Sequence, residues 1–103
     1  MSMEERNLVA MRLAELTEIL ETFRTPGWRV IEKQFSAQIG HISDDLDEAD
    51  NIEQIRRLQE RKKAYKSLVE LPVNFKNEYD EMSGRLETLD LEQQERDQYG
   101  LDS

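Results

Sequence analysis

Cysteine is absent from the chain, histidine occurs once, proline twice and glycine four times. Without cysteine there is no disulfide framework and no thiolate metal site. One histidine excludes a two-histidine metal site and leaves a Ser-His-Asp triad a single possible base, His41. No apolar run approaches the ~20 residues that a helical membrane span needs. The opening Met1-Ser2-Met3-Glu4-Glu5-Arg6 lacks a cationic segment followed by an apolar one, so no secretory signal is expected. Sustained alternation of β-branched and aromatic residues is also missing, which argues against strands.

What is present is charge and helix-forming residues. Of 103 residues, 36% are charged and 37% hydrophobic, with 23 acidic against 14 basic side chains and a net charge of -9. Globular domains average roughly 25% charged, so material for a core is scarce, and the length fits one domain at most. Net acidity disfavours simple binding to a phosphate backbone, which works by replacing counterions with Lys and Arg. Ala, Leu, Glu, Gln, Arg and Lys dominate, and these favour helix. The expected fold is all-α.

A first helix is expected to run to about Phe23, with Leu8, Met11 or Arg12, Leu16, Ile19, Leu20 and Phe23 on one face. Leu13 widens that stripe, and Glu15 and Glu18 lie opposite. Thr25-Pro26-Gly27 stops the helix, because the residue before proline avoids α geometry. Thr25 is placed to cap a second helix with Pro26 at its first position. That helix, to about Ala49, carries Trp28, Ile31, Phe35, Ile39, Ile42, Leu46 and Ala49 at steps of three and four. The seam spans three heptads, about 31 Å. Gly40 within it reads as a tolerated surface glycine rather than a close approach.

Asp50-Asn51 breaks the chain, with Asn51 and Gln54, or Asp50 and Glu53, at capping-box spacing. A third helix to Leu71 carries Ile52, Ile55, Leu58, Tyr65, Leu68 and Leu71, with Ala64 and Val69 beside them and Arg61 or Lys62 filling the gap through an alkyl stem. Two amphipathic helices joined by so short a break predict an antiparallel, coiled-coil-like hairpin. Folding back there is expected to bring Asp44 and Asp45 beside Arg56 and Arg57. Pro72 ends or restarts the helix. Beyond it, Val73, Phe75 and Tyr79 form a small apolar patch and Ser83-Gly84 suggests a break. From Glu78 to Ser103 nine acids face only Arg85 and Arg96. A short helix and an acidic, weakly helical or disordered tail are expected there. The expected organisation is thus an extra N-terminal helix over 1–24, a hairpin over 25–72, and the short helix and tail over 73–103.

No motif carries chemistry. The carboxylates at 44–50 miss the EF-hand pattern, because Ala49 and Asp50 fall where an alternate acid and the turn glycine belong; they read as a solvated helix end. Ser43 and Asp44 project away from His41, so no triad assembles. The basic residues from Arg56 to Lys66 spread over more than one side of their helix and read as a salt-bridged or partner-facing surface, with nucleic acid unfavoured. Trp28 reads as an anchor closing one end of the helices, a partner hot spot being the alternative. No catalytic residue, metal or cofactor is expected. The residues expected to make the packing or partner interface are Trp28, Ile31, Phe35, Ile39, Ile42, Leu46, Ile55, Leu58, Tyr65 and Leu68. Long seams on so small a chain bury little, so other copies or a larger protein are expected to cover them.

Thr25-Pro26-Gly27-Trp28, the acidic helix after it, Ile55-Arg56-Arg57-Leu58-Gln59 and Leu68-Val69-Glu70-Leu71-Pro72 together resemble small helical-hairpin proteins of tailed bacteriophages, encoded among head and packaging genes. The resemblance covers about Thr25 to Pro72. Glu60 stands where those proteins commonly have glycine after the Leu-Gln pair. The resemblance implies a virion-structural or assembly role, in the host cytoplasm or the virion, through contacts with portal, connector or capsid or through self-association. It transfers no catalytic residue. Two alternatives remain at this level. One is a packaging helper of the small-terminase kind, which would bind DNA salt-dependently. The other is a cytoplasmic adaptor, which would be a stable monomer with one protein partner.

Overall fold

The computed structural model describes residues 2–100. It is all-α, with four helices in chain order: α1 Ser2–Thr22, α2 Pro26–Glu48, α3 Ile52–Val69 and α4 Leu71–Gly100. Among the described residues there is no strand.

The helix boundaries follow from capping. The Thr25 hydroxyl donates to the Thr22 carbonyl at 2.8 Å and accepts from the Trp28 amide at 3.2 Å. One side chain therefore closes α1 and opens α2, with Pro26 in the first turn, where its missing N–H removes no bond. Asn51 caps α3, its Oδ1 accepting from the Gln54 amide at 2.8 Å. Glu70 alone separates α3 from α4, and Pro72 sits in the first turn of α4. Proline there restarts the helix rather than ending it.

The helices form two units, Thr22–Val73 and a second composed of the residues up to Glu21 with those from Asn74 onward. In the first, α3 runs back alongside α2 after the three residues 49–51. The seam is narrow: Ile42 is 2% and Leu58 7% exposed, and they are its two buried side chains. Phe35, Ile39, Leu46, Ile55 and Tyr65 are half-buried around them. An aromatic row closes one end, with centroids 4.7 Å apart for Phe23 and Trp28, 6.4 Å for Trp28 and Phe35, and 5.9 Å for Phe35 and Tyr65.

Three seam positions differ from the sequence reading. Ile31 is 44% exposed, and Glu32 is half-buried in its place. A seam between two helices repeats every 3.5 residues, and the run 28, 32, 35, 39, 42, 46, 49 keeps that repeat where a step to 31 breaks it. The methylenes of Glu32 cover the seam while its carboxylate reaches water. Ile52, at 75% exposed, lies in the first turn of α3 ahead of the seam, and Leu68 is 36% exposed while Val69 is half-buried. Between Leu58 and Tyr65 the half-buried residue is Lys62, not Arg61.

In the second unit α1 pairs with α4. Val9, Leu16 and Leu89 are 6%, 0% and 8% exposed. Here the first-helix stripe is corrected at Leu8, which is 64% exposed while Val9 supplies the contact; of Met11 or Arg12 it is Arg12 that is half-buried, Met11 being 66% exposed. The expected break at Ser83-Gly84 and the expected short helix are corrected as well, because α4 continues through Gly84 to Gly100 over 30 residues. Ion pairs to α1 and burial of Leu89 offset the roughly 1 kcal/mol that an interior glycine costs. Residues 101–103 of the expected tail lie outside the described residues.

Candidate interaction surface

Of the ten residues expected at an interface, eight line or flank the α2–α3 seam and are half-buried or buried, Trp28 among them. Ile31 and Leu68 are partly open to solvent. The Trp28 indole Nε1 is buried and has no acceptor among the described residues.

The expected charge pairing across the hairpin is not formed. Asp44, Asp45, Arg56 and Arg57 are all exposed. Among the described residues no ion pair joins the two aspartates to the two arginines, and Arg57 instead lies 3.8 Å from Glu53 on its own helix. Arg56 and Arg57 fall more than 100° around α3 from its seam, at 3.6 residues per turn, so their heads point to water rather than to α2.

The ion pairs that do cross between helices belong to α1 and α4. The Arg12 guanidinium donates twice to Glu78, from Nε to Oε2 at 2.7 Å and from Nη2 to Oε1 at 2.8 Å. Arg6 pairs with Asp90, and Arg85 with Glu5. The bidentate bond holds the Glu78 carboxyl below the usual glutamate range and the Arg12 guanidinium above its ordinary value. Sequence reasoning missed all three pairs. A signal existed: Arg6 and Arg12 are the only cations before Glu21, and both flank the α1 stripe. Their partners lie 66 and 84 positions away, beyond the reach of any local pattern.

Charge is divided sharply between the units. Residues 22–73 hold nine acids and nine bases and are net neutral, so the rest of the chain carries the whole -9. Within the neutral unit, α3 has six cations against Glu53 and Glu60.

The surface offers shallow grooves along helices. One is bordered by Arg29, Val30, Glu32, Lys33 and Ser36, another by Asn51, Glu53, Gln54, Arg57, Leu58 and Arg61. Both are lined largely by charged and polar side chains exposed to water, unlike the enclosed apolar clefts that small-molecule sites use. Among the described residues no group of three or more His, Asp or Glu side chains could hold a metal ion, and His41 is exposed. No described helix is long and apolar enough to cross a membrane. Large apolar side chains stand in solvent on both units, among them Leu8, Met11 and Leu91 on one and Val30, Ile52 and Val73 on the other. No protein-family model, curated protein or solved structure matches the chain.

Proposed function

We propose that the chain is a non-enzymatic assembly protein that works through helix–helix contacts, with copies of itself or with a larger structural protein. The observation that carries this reading is the thinness of its core. Only Val9, Leu16, Ile42, Leu58 and Leu89 are more than nine-tenths buried among the described residues, while nine large apolar side chains remain exposed. So many large apolar side chains left exposed beside so small a core support a reading in which other protein covers part of them. The three- and four-residue steps of both seams support a coiled-coil-like character, which suits docking of a further helix. The resemblance of Thr25 to Pro72 to hairpin proteins of tailed bacteriophages supports a virion-structural setting, with portal, connector or capsid as the larger partner.

Light scattering of the purified chain across a concentration series, alone and with purified portal, connector and capsid proteins of its source, tests this reading. A mass above the 12.2 kDa of one chain, or a stoichiometric complex with one of those proteins, is the expected result. A monomer at every concentration that binds none of them overturns it.

A further inference from the structure

One face of α2, outside its seam, carries a charge pattern that is its own mirror with the sign inverted. Arg29, Lys33, Ser36, Gly40, Asp44 and Asp47 fall within about 80° of one another, at 3.6 residues per turn, and about a third of a turn round the helix from Phe35, Ile39, Ile42 and Leu46. All six are exposed. Two cations stand at the N-terminal end, two carboxylates at the C-terminal end, and two small residues between them. Among the described residues none of the four charged side chains has an ion-pair partner. A Cβ at Gly40 would meet nothing within 4 Å, and a shallow groove runs beside Arg29, Lys33 and Ser36.

The hairpin as a whole is polarised in the same sense. Its open half, residues 22–38 with 61–73, has seven bases against Glu32 and Glu70. Its turn half, residues 39–60, has seven acids against Arg56 and Arg57. The unit is net neutral, yet its halves carry +5 and -5.

We propose that this strip is a two-fold interface between copies: α2 of one copy lies antiparallel on α2 of a second. The occupant follows from the order of the residues along the strip. With Ser36 set opposite Gly40 of the second copy, the two-fold axis lies level with residue 38. Arg29 then stands level with Asp47 of the second copy, and Lys33 comes within one residue, about 1.5 Å, of the level of its Asp44. The symmetry repeats both pairings, so the register forms four ion pairs at once. Level 38 is also where the hairpin changes sign, so the same arrangement sets each basic half against an acidic one. A parallel arrangement sets like charge on like. The ion pairs select partner and direction more than they add affinity. At the centre, Ser36 and Gly40 leave the backbones room to approach more closely than larger side chains allow, and packing there supplies contact that ion pairs in water do not. Because the strip complements itself, the contact is isologous and closes at a dimer. It is small against the roughly 800 Å² per partner of a stable interface, so association is weak, dependent on concentration and reduced by salt. This proposal rests on the assembly reading and names its self-association partner.

Charge reversal with exchange, and one substitution at the centre, test it. One variant carries Arg29→Glu and Lys33→Glu, a second carries Asp44→Lys and Asp47→Lys, a third carries all four, and a fourth carries Gly40→Leu. The substituted positions are exposed, and circular dichroism checks that helicity is retained. Sedimentation velocity at low and high salt reads the assembly state. The wild type is expected to dimerise at low salt and to dissociate at high salt. Each two-site variant alone is expected to lose dimerisation by at least about ten-fold, since like charges then face each other. Mixing the two variants, which gives a one-to-one dimer, or using the four-site variant, is expected to restore it. Gly40→Leu favours helix within the chain, yet is expected to weaken the dimer by at least about ten-fold because it holds the backbones apart.

Dimerisation unchanged by the reversals or by Gly40→Leu overturns this interface, while the assembly reading stands through another face. A loss that mixing does not restore overturns it in the same way, as does a wild type that stays monomeric but binds a portal, connector or capsid protein. A monomer that binds none of those proteins overturns both.

Discussion

Arg12 grips Glu78 with two parallel hydrogen bonds of 2.7 and 2.8 Å, joining residues 66 positions apart. This is the best-formed polar contact between α1 and α4, and its chemistry gives it a pH signature. The Glu78 carboxyl is held below its ordinary range by the Arg12 hydrogen bonds. A group whose pKa is lower in the folded state contributes stability that is present above the unfolded pKa. That contribution is lost as pH falls from the ordinary glutamate value, about 4.3, through the lower folded value. Arg12 stays charged throughout and adds no pH dependence of its own. Other carboxylates titrate in the same range, so the comparison that isolates the pair is wild type against Glu78→Gln. Amide protection factors in α1 and α4, taken relative to intrinsic exchange at each pH, are expected to fall on acidification in the wild type. In Glu78→Gln they are lower at neutral pH and change less as acid is added.

Burial separates residues that the sequence treats alike. Leu8 and Leu16 stand on the same helix, yet one is 64% exposed and the other 0%. Leu16→Ala removes apolar contact and leaves space between α1 and α4, at a cost of about 2–4 kcal/mol. Ile42→Ala is expected to cost a similar amount in the α2–α3 unit, while Leu8→Ala changes folding stability by less than about 0.5 kcal/mol. Urea denaturation gives the totals, and amide exchange shows which unit is affected. Equal effects of Leu8→Ala and Leu16→Ala would contradict the assignment of the α1 face.

The helices were legible in the sequence because they depend on local chemistry. Thr25-Pro26-Gly27 and Asn51 with Gln54 are capping signals that act within four residues, and the structure places helix starts at both. The α2 seam was also legible apart from Ile31, since Phe35, Ile39, Ile42 and Leu46 dominate it. The partnership of α1 with α4 was not. Val9 is small and sits beside two larger apolar neighbours, Leu8 and Met11, that draw the eye to the wrong face. The second half of α4 is acidic enough to pass for a tail until its partner, some 80 residues earlier, is taken into account. Charge pairing was misread for a related reason: closeness in the chain suggested Asp44 and Arg56, whereas side-chain direction around each helix decides which charges meet.

The two capping side chains carry comparable weight by different routes. Asn51→Ala removes the acceptor for the Gln54 amide and is expected to cost about 1 kcal/mol. Thr25→Ala removes an acceptor for Trp28 and a donor to Thr22 at once, so its cost is expected at the upper end of the 0.5–2 kcal/mol range. Thr25→Ser keeps both bonds and is expected to restore most of the loss. Thermal denaturation followed at 222 nm ranks the three. A Thr25→Ala variant as stable as wild type would show that the aromatic row alone sets the α1–α2 turn.

Gly40 and Gly84 test whether any glycine in a helix interior is there for space. A Cβ built at either position meets no atom within 4 Å, and neither has a positive φ. Nothing packed against them therefore requires the missing side chain. Alanine at each site loses less backbone entropy on folding and is expected to stabilise its helix by up to about 1 kcal/mol. The gain at Gly40 is expected in amide protection of α2 and that at Gly84 in α4, each without loss at the other site. If Gly40→Ala stabilises the isolated chain yet weakens its self-association or its hold on a structural partner, the glycine marks a close approach made between molecules rather than within one.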